Sequence, residues 1–325
     1  MAGIGTATVQ GHLPALARLH RAGARLVATA DPDPDRLAVS AARLRGVPTF
    51  ETVEEMLAEV PSEVLVVAVH PEANATLTAL GLRHGRHVVC EKPLALRRSQ
   101  LETVQLELRR HPELALVPVH QFRFSPTWSR VARWARRARR VGAPVSMRVE
   151  VRRDGTDRRA VSRWRDDPAA GGLLADHAVH YLSLCWQLDE ELEVLAGSRS
   201  WDADRGESVR ADLRLGCGGF RFRGTTAAEA ASNRLDLRAG PMRFRWWDET
   251  LVLAVAGCSA ASWDAEALSQ RASTDALYLP FYRELFRDFF DRAWRRRRTE
   301  EALGVNKALV ALLESVPQDE REMGP

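Results

Sequence analysis

Cysteine is scarce and unpaired. Cys90, Cys185, Cys217 and Cys258 form no CxxC pair, which argues against a zinc knuckle or a disulfide framework. They read as reduced thiols of a cytosolic protein, and no metal site is expected. Long apolar runs are also missing. No stretch approaches the ~20 residues that span a bilayer, and no basic leader precedes an apolar segment at the N-terminus. Secretion and membrane insertion are therefore not expected. There is no internal repeat and no low-complexity linker. The formal net charge is +4, and the densest basic runs are Arg133–Arg140 (RWARRARR) and Arg295–Arg298. Both carry apolar residues at helical spacing and read as solvated helix faces. No nucleic-acid-binding motif accompanies them, so no nucleic-acid partner is expected.

What is present points to two domains, because 325 residues exceed one small core. In the first third, short apolar runs at 25–30 (RLVATA), 64–69 (VLVVAV), 86–90 (RHVVC) and 114–119 (LALVPV) read as strands. Helical patterns lie between or around them at 13–22, 34–44, 53–59, 73–84 and 98–109. This alternation predicts a parallel α/β sheet. After about residue 120 the pattern changes. Helices are expected at 130–140, 172–188, 279–294 and 300–313. Period-two segments at 211–215, 220–223, 234–238 and 242–246 predict an antiparallel sheet with one packed face and one wetter face, the latter available to a subunit partner.

Three features of the first domain suggest dinucleotide chemistry. GIGTATVQGHLPAL (3–16) places Gly3 and Gly5 in a G-x-G turn, with Thr6 next to it as a cofactor-binding candidate and Thr8 in the third glycine position. Such a turn lets a pyrophosphate approach backbone N–H groups; a glycine-rich tail reads the same way. Only Met1 and Ala2 precede it, so the first strand is expected to be truncated, with the true start upstream. Asp31 ends the second strand at the place where an acidic residue bonds adenosine ribose hydroxyls and repels a 2′-phosphate, favouring NAD over NADP. Asp33 and Asp35 are alternative helix caps there. Glu91-Lys92-Pro93 follows a strand directly, so the Lys92 ammonium is available at the ligand edge to stabilise charge on a substrate oxygen. As a bare tripeptide it also reads as a charged turn.

The segment WRDDPAAGGLLADHAVHYLSL (164–184) sets Asp176 and His180 four residues apart on one helical face. A histidine there can take a proton from an alcohol, with the carboxylate orienting it. His177 is expected to point away. An exposed i,i+4 pair of little energetic weight is the alternative.

Together these stretches resemble the Gfo/Idh/MocA family, named for glucose–fructose oxidoreductase, inositol dehydrogenase and a rhizopine-catabolism protein. GIGTATVQGHLPAL, LVATADPDPDRL, HGRHVVCEKPLAL and WRDDPAAGGLLADHAVHYL match in order, and the closing EALGVNKALVALLES is similar to the family's last helix. The resemblance implies a Rossmann domain over 1–120 and an α+β domain over 121–325 with a large, mainly antiparallel open sheet. It also implies a homo-oligomer, dimer or tetramer, and NAD as cofactor. Lys92 matches the lysine beside nicotinamide and substrate, His180 the acid–base, Asp176 its support and Asp31 the cofactor discriminator. His70, Pro71 and Asn74 occupy a stretch that contacts the cofactor in the family, with Asn74 also able to cap a helix; Glu91 joins them. Ser183 and Ala178 depart from the family pattern. His120 and Arg123 in HQFRFSP face the substrate or join the domains. The implied activity is NAD(P)-dependent hydride transfer with a sugar, nucleotide sugar or cyclitol. The alternatives are a non-catalytic sugar-binding descendant and a glycosidase-like enzyme using NAD transiently.

Overall fold

The chain enters its first sheet at once. In the computed structural model, which describes residues 1–20, 23–154, 171–202, 206–228, 231–247, 250–264 and 274–316, Ala2 is bridged in parallel to both Ala30 and Val67. The Ala2 N–H donates to Val66 O and its carbonyl accepts from Ala68 N, while Gly3 N donates to Ala30 O. Three residues thus fill the strand position that the sequence left nearly empty. They stitch two parallel ladders together: β1 (Thr29–Ala30) with β2 (Thr49–Phe50), and β3 (Val64–Val67) with β4 (His87–Cys90) and β5 (Leu116–Pro118). Of the strand expected over 25–30, only its last two residues are laddered.

Helices alternate with these strands. After the glycine turn, Thr6 and Ala7 are already helical. A π-helical turn, Thr8–His12, then runs into α1 (Leu13–Leu19), so this helix starts earlier than its apolar spacing predicts. α2 (Pro34–Arg43), α3 (Val53–Glu59), α4 (Pro71–Arg83) and α5 (Arg98–Arg110) follow. Val66, Val67, Val88, Val89 and Leu116 are buried, as strands covered on both faces should be. This unit comprises Met1–Gln121 and Ser273–Asn306.

The second unit comprises Phe122–Ala272 and Lys307–Pro325. It holds α6 (Pro126–Arg140), β6 (Val145–Asp154), a π-helical turn Leu174–Ala178, and α7 (Val179–Trp186). Seven further strands follow: β7 (Leu192–Asp202), β8 (Gly206–Leu215), β9 (Gly218–Ala228), β10 (Ser232–Ala239), β11 (Met242–Trp247), β12 (Thr250–Val255) and β13 (Cys258–Asp264). The eight strands form one sheet, β13-β12-β11-β10-β6-β9-β8-β7, antiparallel except for the β6–β9 pair. Val149, Phe222, Leu235 and Leu237 line the face that is packed with Trp128 of α6 and Tyr181 of α7 buried in the same unit. Each such side chain contributes roughly 1.5–3 kcal/mol of burial. Arg210, Arg221, Asp212, Arg243 and Asp236 pair on the other face.

The closing helices break elsewhere than expected. α8 (Thr274–Asp288) tolerates Pro280, and α9 (Arg292–Ser315) begins where Asp291 Oδ1 accepts from Ala293 N at 2.8 Å. That cap moves the break to 289–291. Arg298, expected on a solvated face, is buried with Glu301.

Gly3 shows why the first turn needs glycine. Its φ is +88°, and an added Cβ would lie inside contact distance of Ala68 O and 2.8 Å from Val69 Cγ1. Gly3→Ala should therefore destabilise the protein by about 3 kcal/mol, through backbone strain and overpacking together. Urea denaturation checks this; a loss below about 1 kcal/mol would contradict the geometry.

Candidate active site

Because the strands of the first unit run parallel, the turns after Ala2, β1, β3, β4 and β5 all lie at one sheet edge, where ligands bind in open α/β folds. At the first turn the Thr8 hydroxyl donates to Gly3 O at 2.7 Å. The threonine that replaces a third glycine thus closes the turn through its side chain. At Gly5 an added Cβ meets nothing within 4 Å, so protein packing does not demand glycine and the backbone lies open. Asp31 is buried beside it. Its Oδ2 accepts from Ile4 N at 2.7 Å and its Oδ1 from Asp33 N at 3.0 Å, with Arg36 Nη1 3.7 Å away. The cap of α2 is Asp33, which accepts from Asp35 N at 3.0 Å.

The turn after β3 corrects one expectation. His70, exposed, caps α4 by accepting from Glu72 N at 3.3 Å, with Pro71 in the first turn. Asn74 caps nothing; it is buried inside α4, and its Nδ2 donates to Pro93 O at 2.8 Å and Glu91 O at 3.3 Å. Its Oδ1 is a buried acceptor without a hydrogen-bond partner among the described residues. From the other side, Asn306 Oδ1 accepts from Leu94 N at 3.0 Å and Ala95 N at 3.4 Å. Two buried asparagines therefore hold the backbone of the EKP turn. The only sequence signal for Asn306 is a lone amide within the apolar run GVNKALVALL.

Lys92 is half-buried at the end of β4, and its N–H donates to Glu91 Oε2 at 3.2 Å. Glu91 is buried. Its Oε1 accepts from the Tyr278 hydroxyl at 2.7 Å and lies 3.1 Å from His12 Nε2, while His12 Nδ1 is 2.7 Å from the Tyr282 hydroxyl. Burial pushes the Glu91 carboxyl up, but the hydrogen bond and charge of His12, the Tyr278 hydroxyl and the Lys92 charge outweigh it. They hold Glu91 below the usual carboxylate range. The associated stability is present above that range and is lost as pH falls through the depressed value. His12, Tyr278 and Tyr282 were not singled out from sequence; they lie 79 to 270 residues from their partners in this cluster.

His120, expected either to face the substrate or to join the domains, is engaged through one ring nitrogen in the core. It is buried with Nδ1 2.9 Å from Glu301 Oε1, and Arg298 Nη2 donates to Pro118 O at 3.2 Å. This is a charge cluster inside the core. Arg123, in the 3₁₀ turn Gln121–Phe124, lies over the Phe124 ring at 5.1 Å.

In the second unit, residues 164–170 of the WRDDPAAGG stretch lie outside the described residues. Gly172 has φ +49° and packs against Arg199 and Glu207. The buried Glu207 carboxylate accepts from Leu173 N at 2.8 Å and from Arg199 Nε at 2.6 Å, fixing the start of the helical segment. Asp176 and His180 are both buried, which removes the reading of an exposed pair. The π-helical turn brings the adjacent His177 to Asp176, Nε2 to Oδ2 3.3 Å, where Arg153 Nε also donates to His177 Nε2 at 2.8 Å. His177 thus joins the carboxylate it was expected to avoid. The His180 ring stacks on Phe122 at 4.2 Å between centroids.

The parallel sheet, its glycine turn and the acidic residue after β1 define a dinucleotide-binding Rossmann unit. Residues 1–118 match the Gfo/Idh/MocA pattern described as an oxidoreductase family with an NAD-binding Rossmann fold. An uncharacterized oxidoreductase of Synechocystis is 33% identical over 85 residues, a segment spanning 26% of this chain and 22% of that relative's length. Solved structures share the fold along almost the whole chain. The WlbA dehydrogenase of Bordetella pertussis, in complex with NADH and UDP-GlcNAcA, is 21% identical with TM-score 0.77, covering 97% of this chain and 94% of that one. KijD10, a 3-ketoreductase of Actinomadura kijaniata in complex with NADP and TDP-benzene, is 18% identical with TM-score 0.78, covering 97% and 96%. An Agrobacterium radiobacter oxidoreductase in complex with NAD+, L-tartaric acid and magnesium is 14% identical with TM-score 0.79, covering 97% and 94%. Among the described residues no helix is long and apolar enough to cross a membrane.

The thiol that precedes the EKP turn is inert. Burial is the largest effect on Cys90 and raises its pKa to about 12, so its thiolate fraction is minute at neutral pH. A thiol reagent at pH 8 should label the exposed Cys258 and leave Cys90 and Cys185 unmodified until denaturant is added. Labelling of Cys90 in the native state, located by mass spectrometry, would contradict its burial.

Proposed function

We propose that this chain is an NAD-dependent dehydrogenase or reductase. It would transfer hydride between nicotinamide and a secondary alcohol or ketone of a sugar, nucleotide sugar or cyclitol. The observation that carries this reading is the placement of Gly3, Gly5, Asp31 and the doubly anchored EKP turn at one edge of a single parallel sheet. The residues fit the cofactor. Gly5 leaves its backbone open, and Asn74 Oδ1 offers a buried acceptor. Gly3, Gly5 and Thr6 would hold the pyrophosphate at the helix start. Asp31 would accept from the adenosine ribose and disfavour a 2′-phosphate, and His70, Pro71, Asn74 and Glu91 would border the nicotinamide end. When bound, nicotinamide accepts or supplies hydride at its C4.

The chain's own groups would handle the proton and the charge. His180 takes the hydroxyl proton in oxidation and returns it in reduction. Lys92 stabilises the developing oxyanion, and Asp176 supports the acid–base from the helical segment that carries His180. The protein is assigned to the cytoplasm. The Arg- and Asp-rich face of the eight-stranded sheet is assigned to self-association as a dimer or tetramer. One observation favours a second reading, a sugar-binding descendant without turnover: Asp31 Oδ2 is already engaged by Ile4 N.

Nicotinamide-linked turnover is to be screened with polyols, sugars, nucleotide sugars and cyclitols. On the best substrate, Lys92→Met and His180→Asn should each lower kcat/KM by about 10²–10⁴-fold, while NADH affinity stays within about threefold. Undiminished turnover in either variant would remove that residue from the chemistry. Absence of turnover on the whole panel, with NADH bound, would favour the binding protein.

A further inference from the structure

The chain contains only two lysines, Lys92 and Lys307, among its 47 Lys and Arg residues. Arginine keeps its charge in proteins, whereas a lysine amine changes its proton affinity with its surroundings. What surrounds Lys92 therefore matters. Its neighbour Glu91 is a buried carboxylate held at Oε1 by Tyr278 of α8 and His12 of the glycine-turn helix, and at Oε2 by the Lys92 N–H. Tyr282 backs His12, and the rings of His12 and Tyr278 meet edge to face at 4.9 Å. Gly11 is needed for this closure, since an added Cβ would stand 2.7 Å from the Tyr278 ring. Among the described residues the titratable groups around Glu91 are His12, Lys92 and Tyr278, with Tyr282 behind His12 and the Cys90 thiol donating to the Glu91 carbonyl at 3.2 Å. A carboxylate fixed by donors from two other helices cannot swing away from the residue beside it.

We propose that Glu91, anchored by His12 and Tyr278, is a positioning residue that keeps the Lys92 amine charged and fixed at the sheet edge. Its consequence for catalysis rests on the dehydrogenase reading above; the effect on the amine does not. A glutamate that served packing alone would change stability without changing Lys92's proton affinity.

The scarcity of lysine makes the test direct. The full chain, labelled with carbon-13 at lysine Cε, gives one signal from Lys92 and one from the exposed Lys307, which serves as the internal reference. Following both against pH in wild type and in Glu91→Gln should show the Lys92 midpoint lower by about one unit or more in the variant, with Lys307 unchanged. Should Glu91→Gln not fold, Glu91→Asp carries the test. It keeps the charge but withdraws it by one methylene from His12 and Tyr278, and a smaller fall at Lys92 is expected. An unchanged Lys92 midpoint in whichever variant folds overturns the proposal. NADH binding is measured on the same wild-type sample. Its absence would count against the dehydrogenase reading and leave the lysine result standing, so the two failures are distinguishable.

Discussion

A buried carboxylate must find donors or lose its charge, and in the first unit that requirement organises the functional edge. Glu91 sits at the end of β4 with Tyr278 and His12 on one oxygen and the backbone of Lys92 on the other. Meeting its needs draws together the helix after the glycine turn, the EKP turn and α8, three pieces of chain far apart in sequence. The two asparagines act on the same turn through its backbone, Asn74 from α4 and Asn306 from α9. The lysine is therefore presented by a turn whose position is set from several directions. Such bracing would serve the charge stabilisation proposed for Lys92.

The same economy holds at the glycine turn. Asp31 ties Ile4 to the start of α2, and Thr8 closes the turn onto Gly3. Ala2 bonds to neighbours on both sides, and the turn beyond it is braced by side chains. In the second unit Glu207 plays a comparable part. It satisfies the first N–H of the helical segment and balances Arg199, which steadies the stretch that carries Asp176 and His180.

Much of this was legible in the sequence. The apolar run at 64–69 and the period-two strands required a buried parallel sheet and a one-faced antiparallel sheet, since no other arrangement covers those faces. Gly3, Asp31 and Lys92 were legible because each follows a strand end, where spacing alone fixes the side of the sheet. Three things were hidden. The π-helical turns at Thr8–His12 and Leu174–Ala178 depart from the 3.6-residue period, so His177 was placed away from Asp176. Glu91 pairs with His12 and Tyr278 and His120 with Glu301, each at least 79 residues away, and no local pattern announces such pairings. The cap at Asp291 sets the break between the closing helices at 289–291, where apolar spacing had placed it after residue 294.

The central claim is that the glycine turn, Asp31 and the EKP turn form a working dinucleotide site. The most direct measurement is a calorimetric titration of the full chain with NADH and, separately, NADPH. Saturable binding at one site per chain, tighter for NADH, is the predicted result. No heat of binding with either nucleotide would contradict the account.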